Sequence, residues 1–229
     1  MNRKQLELYF IMGTSNVRNA DPLNVLESAL QAGVTFFQFR EKGSSALKGS
    51  QYEEFARKCQ ALCRKYHVPF IVNDDLELAL KLDADGVHVG QDDLAVAKAR
   101  KLIGDKILGV SVHNLDELEE AIRYKADYIG VGPIYKTKSK ADAKQPAGTK
   151  FLQQASSKYP SLPIVAIGGI SSLNCHESIE AGADGVAVIS AICESANIHQ
   201  TVNEFKQAIK EASKQIFKHH FERFTRIVD

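Results

Sequence analysis

Eight short runs rich in Val, Ile and Phe punctuate this chain, and a longer stretch of helical character follows each one. The runs cover residues 8–12, 36–40, 70–73, 86–89, 107–111, 128–131, 164–167 and 185–189. Most lack strict apolar–polar alternation, which marks strands covered on both faces, as in a parallel sheet wrapped by helices. The helical patterns cover residues 22–32, 52–66, 76–82, 94–103, 115–124, 150–159, 174–181 and 201–212. Asp21 is a good N-cap for the first of them, with Pro22 in the first helical position and Gly33 after the last turn. Eight βα units within 229 residues predict an α/β protein built as a (β/α)8 TIM barrel. A doubly wound sheet is the alternative architecture for the same alternation.

Residues 1–212 read as a single barrel domain, and residues 213–229 as an extra C-terminal helix or tail. Phe217, Phe221, Phe224 and Ile227 recur there at helical spacing, which suits a helix laid on the outside of the barrel. Pairing of two copies into a homodimer is the other use for such a stripe. A turn signature also repeats: Ala84-Asp85-Gly86, Ala126-Asp127-Tyr128 and Ala183-Asp184-Gly185 each join a helix to the next strand. Asp85, Asp127 and Asp184 are therefore expected at the stability face of the barrel rather than its functional face.

The charges nearly cancel, with 29 basic against 28 acidic residues, so no surface for nucleic acid or membrane is expected. No apolar run reaches the roughly 18 residues of a membrane span, and residues 1–7 contain no hydrophobic targeting core. Cys59, Cys63, Cys175 and Cys193 lack zinc-site spacing and read as reduced thiols of a cytoplasmic protein.

In such a barrel the chemistry collects where strands end. The second run ends Gln38-Phe39-Arg40-Glu41-Lys42, and alternation sends Gln38, Arg40 and Lys42 to one side. An Arg facing a barrel interior calls for an anion; a solvated turn is the bland alternative. The third run ends Asn73-Asp74-Asp75, where Asp75 suits the N-cap of the following helix. The fourth ends His88-Val89-Gly90-Gln91-Asp92-Asp93, with His88 expected to face inward. Asp74 with Asp92 or Asp93 suits a hard divalent ion, best Mg2+, whose shell phosphate and water would complete. The fifth ends Gly109-Val110-Ser111-Val112-His113, with Ser111 placed to bond a substrate ring and His113 open between site and helix cap.

The sixth run leads into Gly132-Pro133-Ile134-Tyr135-Lys136-Thr137-Lys138-Ser139-Lys140, a loop of hydroxyl and ammonium groups suited to a polyanion. Residues 141–148 beyond it read as a lid. Gly168-Gly169 after the seventh run, with Ser190 after the eighth, exposes backbone N–H groups in a phosphate cradle. Two anion sites result, one neutral and one cationic, which suits an enzyme joining a phosphorylated acceptor to a pyrophosphate-activated donor.

These stretches, together with Gly182-Ala183-Asp184-Gly185-Val186-Ala187-Val188-Ile189-Ser190, resemble the thiamine-phosphate synthase family in order and content over residues 8–212. The resemblance implies a (β/α)8 barrel that couples 4-amino-5-hydroxymethyl-2-methylpyrimidine diphosphate to a thiazole phosphate and releases pyrophosphate. It implies that Arg40, Asn73 and Lys140, with Lys42 nearby, hold the pyrophosphate. It further implies that Asp74 and Asp93 bind Mg2+, that Gln38 and Ser111 address the pyrimidine, and that Thr137, Ser139, Gly169, Ile189 and Ser190 hold the thiazole phosphate. Arg40, Ser111 and Lys140 are the catalytic candidates. The chain departs from the family pattern at Ser139, usually Thr, and at Ala141, where a second Lys is common. A thiazole tautomerase relative is the runner-up, kept in view by His113, and a non-catalytic phosphate-binding barrel is the reading from another class.

Overall fold

Strand residues of this kind must satisfy every backbone group without an open edge, and a closed parallel barrel does so. The computed structural model describes residues 1–91, 96–137, 139 and 145–228, with the backbone alone over 219–228. Eight strands close in sequence order: β1 (Leu8–Met12), β2 (Phe36–Phe39), β3 (Phe70–Asn73), β4 (Gly86–Val89), β5 (Ile107–Val112), β6 (Tyr128–Val131), β7 (Ile164–Ile167) and β8 (Gly185–Val188). All pairings are parallel, and β8 returns to β1 with Tyr9 opposite Ala187. Helices α1 (Pro22–Ala32), α2 (Gly49–Lys65), α3 (Leu76–Lys81), α4 (described over Val96–Ile103), α5 (Leu115–Arg123), α6 (Lys150–Lys158) and α7 (Cys175–Glu180) follow the first seven strands. A short α8 (Ser190–Cys193) and a long α9 (Ile198–Val228) follow the eighth. The (β/α)8 expectation holds, and the doubly wound sheet is excluded.

Local chemistry sets the boundaries. Asp21 caps α1 through the N–H groups of Leu23 and Asn24, and Gly33 ends it at φ 101°. Asp75 caps α3 through Leu78 N–H, as its position suggests. Arg40 and Ile189 fall just beyond β2 and β8 rather than inside them. Ile189, at φ −119° and ψ −81°, has already turned to become the residue that opens α8. The expected separate C-terminal helix does not exist as a distinct element; α9 runs unbroken through it. No Gly or Pro interrupts residues 198–228, and Ser213 bonds back to Ile209 O at 2.8 Å within the helix. Its first turns lie on α1 and α7, whereas Phe217 is 76% exposed. Among the described residues, no helix is long and apolar enough to cross a membrane.

Two apolar regions form the core. One lies between barrel and helices and takes Phe37, Phe39, Val72, Val87 and Val110 from the outward faces of strands. The other fills the barrel with Tyr9, Ile11, Phe36, Ile71, Tyr128, Val165 and Ala187. Tyr9, Phe36 and Tyr128 meet edge to face there, with ring centroids 4.8–5.9 Å apart.

The repeated Asp closes the stability face. Asp85, Asp127 and Asp184 accept an N–H from the start of the preceding strand, from Phe70, Leu108 and Ile164, at 2.8, 2.9 and 2.8 Å. Each returns its own N–H to the carbonyl of that residue. Thr35 does the same for Leu8 with its hydroxyl at 2.9 Å. Asp127 also holds Arg100 at 2.7 Å. Asp127→Ala orphans the Leu108 N–H and is expected to lower the unfolding free energy by about 1–3 kcal/mol, measured by urea denaturation.

Candidate functional site

Because the strands are parallel and closed, all their C-terminal ends gather on one rim. A cavity of ≈ 750 Å³ opens there, walled by Ser15, Asn16, Arg18, Arg40, Lys42, Gly43, Lys136, Thr137, Ser139, Gly169, Ile189, Ser190 and Glu194. It brings together cations from the end of β2 and hydroxyl and amide groups from the ends of β6, β7 and β8. Within it, Ser139 Oγ donates to Ser190 Oγ at 3.1 Å, and Thr137 Oγ1 accepts Ser139 N–H at 3.2 Å.

The Gly-Gly turn shapes the cradle. Gly168 and Gly169 have φ of +102° and +65°, in the left-handed region that side chains disfavour. A Cβ at Gly169 would stand 2.6 Å from Lys136 O. The chain also needs this close approach because Ile134 and Tyr135 donate their N–H groups to Ile167 O and Gly168 O, both at 2.9 Å. The loop after β6 is thereby fastened to the end of β7, and Thr137 and Ser139 follow at once.

On the cationic side, Arg40 is 8% exposed although it lies past the strand. Glu41 ties the loop after β1 to the one after β2 by accepting Thr14 N–H at 2.7 Å and Leu47 N–H at 2.9 Å. Lys42 Nζ meets Asp74 Oδ2 at 2.6 Å. Asp74 itself sits at φ 60°, with Asn73 Nδ2 donating to its Oδ2 at 2.6 Å and Gly90 N–H to its Oδ1 at 3.3 Å. Both oxygens of this carboxylate are thus engaged, Oδ2 by Lys42 and Asn73 and Oδ1 by Gly90. Among the described residues no group of three or more His, Cys, Asp and Glu converges as a metal site. Asp92, Asp93, Lys140 and residues 141–144 of the expected lid lie outside the described residues.

Gln38, His88 and Ser111 lie deeper, beneath the rim. Gln38 Nε2 donates to Tyr9 OH at 2.7 Å, and Tyr9 OH meets Tyr128 OH at 2.8 Å. Tyr128 OH meets His88 Nδ1 at 3.0 Å, and His88 Nε2 meets Ser111 Oγ at 2.9 Å. Gln91 Nε2 pins Ser111 from the other side, through its carbonyl at 2.7 Å. Burial pushes both tyrosine hydroxyls far above their ordinary pKa, so they stay neutral. His88 faces inward, as expected. His113 is bound to helix α5, its N–H and Nδ1 both on Glu117 Oε2 at 2.7 and 2.8 Å.

Tyr9 and Tyr128 escape notice in the sequence because each sits in an apolar run and reads as core. The available signal is that a buried tyrosine hydroxyl must find a partner. Lys136 belongs to the polyanion loop already singled out, whereas Arg18 and Glu194 stand in segments of ordinary polar composition and carry no pattern that would single them out.

The family model described as thiamine monophosphate synthase matches residues 8–192. The thiamine-phosphate synthase of Lysinibacillus sphaericus is 63% identical over 206 residues, spanning 90% of this chain and 97% of that protein. That of Bacillus licheniformis is 52% identical over 210 residues, spanning 92% of this chain and 93% of that protein. Among solved structures, the thiamine phosphate pyrophosphorylase of Pyrococcus furiosus superposes with a TM-score of 0.81 at 30% identity, covering 92% of this chain and 98% of its own.

Gly169→Ala tests the cradle. The substitution is expected to cost about 1–2 kcal/mol of stability from the left-handed backbone, and to weaken binding of inorganic phosphate at least about tenfold by displacing the loop. Thermal melts and titration calorimetry read the two effects.

Proposed function

The chain belongs to the thiamine monophosphate synthase family, and we propose that it works as a thiamine-phosphate synthase, a transferase of thiamine biosynthesis. Its donor in this reading is 4-amino-5-hydroxymethyl-2-methylpyrimidine diphosphate, and its acceptor is 4-methyl-5-(2-phosphooxyethyl)thiazole. The products are thiamine phosphate and pyrophosphate. The observation that carries the reading is a cavity lined both by Arg40 and Lys42 and by Thr137, Ser139, Gly169 and Ser190. The first set suits a leaving pyrophosphate and the second a retained monophosphate.

The chemistry needs little more. The bond between the pyrimidine methylene carbon and the pyrophosphate oxygen breaks, and its electron pair leaves with the pyrophosphate. The aminopyrimidine delocalises the positive charge left on carbon, which favours a dissociative path. Arg40, Lys42, Asn73 and Lys140 bind the departing oxygens and offset their growing charge. The cradle fixes the acceptor so that the thiazole nitrogen lone pair faces that carbon and closes the new C–N bond. No proton is transferred, so no acid or base is required, and the Glu117 contact of His113 accords with that. Asp74 and Asp93 would hold Mg2+, which when bound supplies charge neutralisation to the pyrophosphate. Four unpaired cysteines accord with a cytosolic setting.

Incubation with both substrates and Mg2+ is expected to yield thiamine phosphate; thiazole isomerisation without coupling would overturn the reading. Arg40→Ala and Lys140→Ala are each expected to cut turnover at least about a hundredfold, or about 2.7 kcal/mol of barrier. EDTA is expected to stop coupling and Mg2+ to restore it, and full activity in EDTA would remove Asp74 and Asp93 as ligands.

A further inference from the structure

A row of five polar side chains crosses the barrel interior, from Gln38 on β2 through Tyr9 on β1, Tyr128 on β6 and His88 on β4 to Ser111 on β5. Counting its protons gives the row a direction. Gln38 Nε2 is a donor only, so Tyr9 oxygen accepts from it; either hydroxyl of the Tyr9–Tyr128 contact can donate, and the arrangement that leaves neither hydroxyl proton without an acceptor sends that of Tyr9 to Tyr128. Tyr128 oxygen has then received a proton, and its own goes to His88 Nδ1. An accepting Nδ1 in a neutral ring places the ring hydrogen on Nε2, which donates to Ser111 Oγ. Ser111 Oγ has thus accepted, which leaves its own proton for a ligand. At the other end, Gln38 Oε1 is buried and has no donor among the described residues.

The row is built, not incidental. A Cβ on Gly109 would stand 2.2 Å from Tyr128 Cζ and 2.5 Å from His88 Nδ1, so the contact between those two side chains exists only because residue 109 lacks one. Gly130 leaves room on the other flank, with its notional Cβ 3.3 Å from His88 Cε1.

We propose that Tyr9, Tyr128 and His88 are positioning residues whose one-way hydrogen bonds fix Gln38 as an acceptor and Ser111 as a donor toward the ring of the substrate, and so select an aminopyrimidine over its oxo analogue. The proposal rests on the preceding reading, in which Gln38 and Ser111 address the pyrimidine. An amino group offers a proton to Gln38 Oε1, and a ring nitrogen accepts from Ser111. An oxo group in place of the amino group sets oxygen against oxygen. Gln38 cannot turn its amide over to relieve this, because Nε2 is held by Tyr9, whose own proton is committed to Tyr128. Removal of the Tyr128 hydroxyl frees that proton for Gln38 Oε1, lets the amide reverse, and takes away the partner that sets the tautomer of His88.

Two measurements test this. In protein labelled with 15N-histidine, with His88 identified by the signal lost in His88→Gln, Nδ1 is expected to be pyridine-type and Nε2 pyrrole-type at neutral pH. A pyrrole-type Nδ1 or a doubly protonated ring in the wild type overturns the proposal, and this readout requires no variant to fold beyond the assignment. In the second, titration calorimetry compares the 4-amino pyrimidine diphosphate with its 4-oxo analogue. Tyr128→Phe is expected to reduce the preference for the amino form at least about tenfold, with affinity for the thiazole phosphate unchanged. An unaltered preference overturns the proposal. If the wild type shows the expected tautomer and binds neither pyrimidine, the functional reading falls and the selectivity with it. A wrong tautomer in an enzyme that still couples its substrates sinks the relay alone.

Discussion

Closure of the sheet is the constraint on which the rest depends. With β8 hydrogen-bonded to β1, every strand has two neighbours and every strand points the same way. Residues as distant in sequence as Arg40 and Ser190 must then share a rim, because the strands that carry them run side by side around a ring. The opposite rim carries the burden of holding the ring together. There Thr35, Asp85, Asp127 and Asp184 trade a pair of hydrogen bonds with the strand before them. Stability and chemistry are separated to opposite ends of strands only four to six residues long.

The rim itself divides by the kind of positive potential it offers. At the ends of β7 and β8 it comes from amide groups and hydroxyls that no change of pH within the ordinary range can remove. At the ends of β2 and β3 it comes from full charges, Arg40 and Lys42, with Asp74 set against the latter at 2.6 Å. A group that stays bound throughout is suited by the first kind of site, where attraction is moderate and geometry tight. A group that arrives with one charge and leaves with more is suited by the second, where the attraction grows as the charge does.

Much of this was legible from residue order, for reasons that can be named. Strands buried on both faces lose alternation, and Asp before a strand or at a helix start has a specific backbone partner, so Asp21, Asp75, Asp85, Asp127 and Asp184 fell where their chemistry places them. That Gln38 and Arg40 share a side follows from pleat alone. What stayed hidden depends on partners far off in the chain. Nothing near Tyr9 says that its hydroxyl will meet one 119 residues away. His113 has a carboxylate four residues on, and either a cap or a site fits that spacing until the helix is seen. The apolar stripe of Phe217, Phe221, Phe224 and Ile227 reads as a helix of its own, yet with no Gly or Pro before it the backbone simply continues from the barrel's last helix.

Gly109 and Tyr128 occupy one space between them: the volume that residue 109 gives up is the volume the Tyr128 ring fills. The two positions therefore behave as interlocking pieces with a single assembled arrangement. A methyl at 109 evicts the ring, and a smaller residue at 128 empties the middle of the barrel and silences the histidine's neighbour. Neither position can change alone without disturbing the other, so the barrel's polar centre stands or falls as one unit.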